Sequence, residues 1–401
     1  MMFSRRFANN LNFLNYRKND LGPLLFSGAA RRAAVTLISI FSPIYIYEIG
    51  LKYQLEPHYA IIVVLLYYVI ILLSKISSLV FSENLSQKIG FKSMIWASFV
   101  PFVFFVLCLV FTSTLPYLLI PAAIFWGIHA GFYWWGYHGY FIKEGDNAHF
   151  GINIGEAGFI ETIVGVVSPF FGALLISFLG YNSLYIFSAI FMALALLLLG
   201  KNHERKQRRD IKFSEVISLI KSHKSISLSY IGSSAEGILF AVIWPVFLFI
   251  FFGQVISLGT VVSVAAFSAA VFSLILGRWV DKQGERKIIS IGAPLTTVAW
   301  IIKIVKKSVP AFILADSIWN FGQRMVSLPL NALAYKKGIE GGAARAILFR
   351  ETTLTIGGLI SLGILIIWML YGGRLEDAFI IAAVFSTLPL IAVYKKRLEN
   401  K

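Results

Sequence analysis

Twelve long apolar stretches run through this 401-residue chain, and no other feature constrains its fold as tightly. A helix needs roughly 20 apolar residues to cross a hydrocarbon core of about 30 Å. Stretches of that kind lie near residues 25–50, 58–82, 93–112, 116–142, 151–179, 182–200, 225–251, 255–279, 288–305, 309–336, 345–370 and 374–394. With 58% hydrophobic and 14% charged residues, the chain has too little polar surface for a soluble globule. It reads as an all-α membrane protein with 12 transmembrane helices.

Charge gives the orientation. The formal net charge is +16, but the basic residues form no patch of the kind nucleic acid needs. They alternate between loops. With the N-terminus in the cytoplasm, 27 of the 36 cations fall inside and five outside, namely Lys52, Lys303, Lys306, Lys307 and Arg374. Arg31, Arg32, Lys75 and Arg324 lie within the spans. This excess predicts cytoplasmic termini at both ends. The polar first 24 residues followed by a long apolar helix predict an uncleaved first span, and no lipidation motif is visible. Cys108, the lone cysteine, reads as a packing residue and excludes an internal disulfide.

One composition shift divides the chain. Residues 201–224 are strongly charged, with six spans on either side, so residues 1–200 and 225–401 are expected to form two six-helix bundles. Phe213, Val216, Ile217 and Ile220 keep a helical spacing inside this linker. Two placements are open for that stretch, a solvated linker or a helix on the membrane surface.

Corresponding loops also carry a repeat. Gly277-Arg-Trp-Val-Asp281-Lys282-Gln-Gly284-Glu-Arg286-Lys287 follows the eighth span, and Glu83-Asn-Leu-Ser-Gln87-Lys88-Ile-Gly90-Phe-Lys92-Ser93 follows the second. The first of these matches a Gly-x-x-x-Asp-Arg/Lys-x-Gly-x-Arg/Lys-Arg/Lys signature, and here the chain resembles the major facilitator superfamily. The copy after the second span departs from it at Glu83, Gln87 and Ser93. Ser168-Pro169-Phe-Phe-Gly172-Ala173 in the fifth span partly matches a Gly-Pro-x-x-Gly-Gly pattern of proton antiporters in that family. The resemblance implies two pseudo-symmetric bundles that expose a mid-membrane site alternately to each side. It also implies a cytoplasmic gating turn built from Gly277, Asp281, Lys282, Gly284, Arg286 and Lys287, with Asp281 facing helix N-terminal amides.

The same resemblance makes the first, fourth, seventh and tenth spans line the cavity. Intramembrane polar groups are costly and should face protein or water there. At 100° per residue, Asp316, Asn320, Gln323, Arg324, Ser327 and Asn331 share a stripe about 100° wide on the tenth span. Ser229, Ser233, Glu236, Phe240 and Trp244 fall within about 80° on the seventh, as do Trp126, His129, Tyr133, Tyr137 and Tyr140 on the fourth. Arg32, Thr36 and Ser39 share a face of the first. Glu236, Asp316 and Arg324 are read as the working centre, with Glu236 as proton carrier and Arg324 as charge partner or anion contact. Arg32, Trp126, His129, Tyr133, Tyr137, Trp244, Asn320 and Gln323 are read as the substrate wall.

Duller readings stand beside these. Arg31 and Arg32 can snorkel to the interface, and Lys75 can snorkel or pair. His129 can be a packing histidine, and Glu156 and Glu161 have no assigned role. No phosphate loop, zinc motif or nucleophile elbow is present, which speaks against an enzyme. The expected function is secondary transport of a small organic solute, proton-coupled, with efflux or antiport favoured over symport. A non-transporting sensor and an intramembrane enzyme are the alternatives. No cofactor is expected beyond protons as coupling ion. The expected setting is a functional monomer in a prokaryotic plasma (inner) membrane, with the lipid bilayer and a small solute as partners.

Single cysteines placed at Leu51, Thr114 and Asn182 should label from outside intact cells. Those at Gln207 and Gly341 should label only after permeabilisation. The reverse pattern would overturn the orientation.

Overall fold

The computed structural model describes residues 22–144, 150–200, 213–268 and 284–391, without the side chains of 22, 23, 25, 143–162, 213, 214 and 334–341. Gly277, Asp281 and Lys282 therefore lie outside the described residues, as do the side chains of Glu156 and Glu161.

Six helices precede the linker: α1 (Gly22–Lys52), α2 (Pro57–Ile89), α3 (Phe91–Thr112), α4 (Leu119–Glu144), α5 (150–179) and α6 (181–199). Gly180, at φ 77°, breaks what would otherwise be one rod into α5 and α6. Six more follow: α7 (Lys224–Phe252), α8 (described over Val255–Ser268), α9 (Glu285–Val305), α10 (Val309–Gly341), α11 (Ala343–Leu370) and α12 (Asp377–Leu390). The fold is that of a 12-helix membrane protein in two pseudo-symmetric bundles. α10 is long enough to cross a bilayer but less apolar than its neighbours, because Asp316, Asn320, Gln323 and Arg324 interrupt it.

The loop repeat has a structural counterpart. Gly90 (φ 88°, ψ 165°) and Gly284 (φ 78°, ψ 150°) adopt nearly the same backbone conformation, and each immediately precedes a helix. A positive φ is easy only for glycine, so the residue type sets the reversal into α3 and into α9. Arg286 and Lys287 lie exposed in the first turn of α9.

Helices approach closely where side chains are absent. A Cβ on Gly127 or Gly131 of α4 would collide with the Ile71–Ser78 stretch of α2, a small-xxx-small contact. Between the bundles, Gly358 of α11 admits Leu72 of α2, and Gly259 of α8 lies against the carbonyl of Pro169 on α5. Pro169 has no N–H to give its own helix. One residue on, the Phe170 N–H donates across the interface to Ser263 Oγ at 3.0 Å. The Ser168–Ala173 motif thus sits at the α5–α8 seam, away from the α2–α11 seam.

The linker helix, Phe213–Ser222, is packed on protein. Val216 is buried in a cluster with Ala343, Ala344 and Ile347 at the start of α11, and Ile220 packs against that cluster. Glu215 pairs with Arg345 at 2.6 Å. Part of the apolar stripe, Val216 and Ile220, thus finds a protein surface at the foot of α11, while Ile217 stays exposed.

Candidate functional site

The second bundle buries three ionisable side chains in one aromatic framework. Lys303 of α9 is 0% exposed, and its Nζ lies 2.8 Å from Asp316 Oδ1 of α10. Three rings surround the ammonium, Phe240 and Trp244 of α7 and Trp300 of α9, with centroids at 4.5, 3.9 and 4.3 Å. The other Asp316 oxygen accepts from Trp244 Nε1 at 2.9 Å. A desolvated ammonium over an aromatic face gains on the order of 2 kcal/mol per good contact, and the carboxylate neutralises it. The cage explains how a lysine tolerates this depth. It also corrects one sequence expectation: Lys303, counted with the outer loop cations, lies buried in α9 and pairs with Asp316.

Glu236 of α7, 1% exposed, sits one helical turn from Phe240. Trp300 Nε1 donates to its Oε1 at 2.7 Å, and Trp319 Nε1 of α10 donates to the same atom. Gln323 Nε2 donates to Oε2 at 2.9 Å, while Ser233 donates to the Gln323 oxygen at 3.3 Å. All three partners of the acid are N–H donors, an arrangement suited to an acceptor-only carboxylate. Among the described residues no cation is paired with it.

A cavity of about 260 Å³ lies between the bundles. Its wall includes Arg32, Thr36 and Ser39 of α1, Gly165 and Pro169 of α5, and Val262 of α8. From α7 and α10 come Phe240, Trp244, Asp316, Trp319, Asn320 and Arg324. The α1 residues recur at i, i+4 and i+7, and the α10 residues at i, i+3, i+4 and i+8, which is why one helix face of each reaches the same space. Asn320 Nδ2 also donates to the Asp316 carbonyl at 2.8 Å. Glu236 and Gln323 are absent from this wall. Phe240 and Trp319, stacked with centroids 3.4 Å apart and planes at 5°, stand at the cavity edge, and Trp319 also holds Glu236. The expected direct exposure of Glu236 to the cavity is therefore replaced by contact through Trp319.

The fourth span behaves differently from expectation. Trp126, His129, Tyr133 and Tyr137 are not on the wall of this cavity. His129 Nδ1 lies 2.8 Å from the Ser98 carbonyl of α3, with Phe102 and Trp126 against its ring. Tyr133 and Tyr137 stack in sequence along α4, and the Arg31 guanidinium of α1 covers Tyr133 at 3.4 Å. The aromatic face thus packs on α3 and on Arg31, so the packing reading describes His129 and cation–π stacking describes Arg31.

A second charged cluster crosses between the bundles toward the linker end. Lys75 Nζ of α2 lies 2.6 Å from Glu351 Oε2 of α11, and His138 Nε2 of α4 lies 3.6 Å from the other oxygen. Arg350 pairs with Glu351 and donates through Nε to Asn331 Oδ1 at 2.9 Å. Lys75 therefore pairs with protein, the alternative to snorkelling. Glu351 was missed in the sequence reading although it lies about 12 Å into α11, beside Arg350 in an otherwise apolar run.

These features define a class: a polytopic helical membrane protein whose two bundles enclose a polar cavity and meet through an ion-pair cluster. Residues 24–256, more than half of the chain, match the family described as Major Facilitator Superfamily. The chain belongs to the major facilitator superfamily, and it is a transporter with no enzymatic role. Its fold is similar to that of the human organic anion transporter MFSD10 (TETRAN), with a TM-score of 0.65 and 14% identity over 93% of this chain and 98% of that one. It is also similar to the POT family transporter PepTSo, with a TM-score of 0.71 and 11% identity over 95% of this chain and 98% of that one. At such identities the likeness is one of fold. No curated protein matches the sequence.

Removing one partner of a buried pair leaves the other charge uncompensated, which typically costs about 3–5 kcal/mol. Lys303→Met should therefore lower the unfolding temperature of the purified protein sharply, and Lys303→Met with Asp316→Leu should recover much of the loss. A single variant as stable as wild type would show that the pair is not a structural anchor.

Proposed function

We propose that this protein is a proton-coupled secondary transporter of a small organic solute, working by alternating access with Glu236 as the coupling acid. The observation that supports the reading most is the Trp319 indole, which lines the cavity and donates to the buried Glu236. A solute that fills the cavity must press on the Phe240–Trp319 stack. Pressing the Trp319 N–H onto the carboxylate favours its charged form and expels the proton, so occupancy of the cavity and occupancy of the proton site oppose each other, as exchange requires. Asp316 is a poorer carrier, because Lys303 already neutralises it. Residues 1–200 and 225–401 would be the moving bundles, joined by the 201–224 linker.

Closure on the linker side has a physical counterpart in the Lys75–Glu351 contact, with His138 and Arg350 around it. Opening that side requires this contact to break or rehydrate. The positive-inside pattern supports a cytoplasmic linker side with both termini there; a prokaryotic plasma membrane and a monomeric working unit belong to the same proposal. The place of Pro169 at the α5–α8 seam, with the partial antiporter motif around it, favours efflux by exchange over symport.

Proteoliposomes loaded with a metabolite mixture and given a pH gradient test this reading, with accumulation followed by mass spectrometry. At least one solute should move against its own gradient. Glu236→Gln should abolish that accumulation while leaving equilibrative exchange of the same solute. Wild-type concentrative transport in Glu236→Gln would remove Glu236 from the coupling role.

A further inference from the structure

We propose that the central cavity takes a compact amphipathic anion, its acidic group seated on Arg32 and its apolar body against Phe240, Trp244 and Trp319. This deepens the transporter reading and rests on it. The argument is one of charge already spent. Three ionisable side chains reach the cavity wall: Arg32, Asp316 and Arg324. Both Asp316 oxygens are committed, one to Lys303 and one to Trp244. An incoming cation would have to compete with a wholly buried ammonium for that carboxylate. The aromatic faces offer it little more, since Lys303 already occupies the rings of Phe240 and Trp244. Glu236 lies behind the wall with its own donors.

Arg32 is in the opposite condition. Among the described residues it has no hydrogen-bond or ion-pair partner, and it is an exposed side chain on the α1 stripe that also carries Thr36 and Ser39. Opposite it stands Gly165 of α5, where an added Cβ would lie 3.9 Å from Arg32 Nε and Nη2. A glycine there leaves open space in front of the guanidinium. The planar fork of donors suits a carboxylate, sulfonate or phosphate in bidentate fashion. A volume of about 260 Å³ falls just below the usual range for drug-sized ligands, so the solute is compact.

Three naphthalene probes of matched shape test the charge preference on the full-length purified protein: naphthalene-1-sulfonate, (1-naphthylmethyl)trimethylammonium and 1-naphthamide. Binding is read by thermal stabilisation and by quenching of tryptophan fluorescence. The sulfonate should bind best, and Arg32→Gln should weaken it by at least about tenfold, the worth of one charge-assisted contact. If Arg32→Gln fails to fold, Gly165→Leu, which fills the space before the guanidinium, should weaken it likewise. Equal or better binding of the ammonium or the amide, no binding of any probe, or undiminished sulfonate binding in the variants would each overturn the proposal. Counterflow of the labelled probes in proteoliposomes separates the two levels. A sulfonate that binds and does not exchange counts against the transporter reading and leaves the anion site standing. Exchange of the ammonium alone leaves transport standing and removes the anion site.

Discussion

A lysine ammonium deep in a helical bundle has few ways to keep its charge, and Lys303 uses two together: a carboxylate at 2.8 Å and three aromatic faces within 4.5 Å. Each partner comes with a helix attached. Phe240 and Trp244 bring α7, Asp316 brings α10, and Trp300 belongs to α9 itself. The cage therefore does for the second bundle what an apolar core does for a soluble domain, and it also fixes directions. Trp300 is held where its indole N–H reaches Glu236, and Trp244 where its N–H reaches Asp316. Buried ion pairs are uncertain contributors to net stability, but they are costly to break singly, which makes them good at specifying one arrangement.

From that fixed arrangement follows the division of labour between the charges. Asp316 is paired with Lys303. Glu236 accepts its hydrogen bonds from neutral donors, one of which, Trp319, is shared with the cavity wall. Across the interface the first bundle supplies Arg32 at the cavity, and Lys75 and His138 at the Glu351 cluster. The two seams differ in kind. At α5–α8 the helices touch through Gly259 and the Pro169 backbone, whereas at α2–α11 an ion pair joins them.

Much of this was legible in the sequence. The polar stripe of α10 was, because residues at i, i+4 and i+8 share a helix face wherever the helix sits, and the reversal at Gly284 was, because its partner Gly90 shares the motif spacing. The partner of Asp316 was not. Lys303 stands three and four residues before Lys306 and Lys307, so it reads as part of a loop cluster; its phase with Thr296 and Trp300 on the buried face of α9 was the available signal. The aromatic face of α4 was read as a cavity wall because periodicity shows that a face exists and not what it meets. Here it meets α3 and Arg31. Likewise the apolar stripe of the linker helix announces a surface to cover, and only the packed fold shows α11 meeting Val216 and Ile220.

The central claim is that a solute in the cavity changes the proton occupancy of Glu236 through Trp319. Naphthalene-1-sulfonate carries no titratable proton of its own near neutral pH, so mixing it with the purified protein in weakly buffered solution, with a pH-sensitive dye present, reports protons exchanged by the protein. The account predicts a proton change on binding that saturates with the ligand and disappears in Glu236→Gln. Saturable binding with no proton change in the wild-type protein, or an undiminished change in Glu236→Gln, would contradict it.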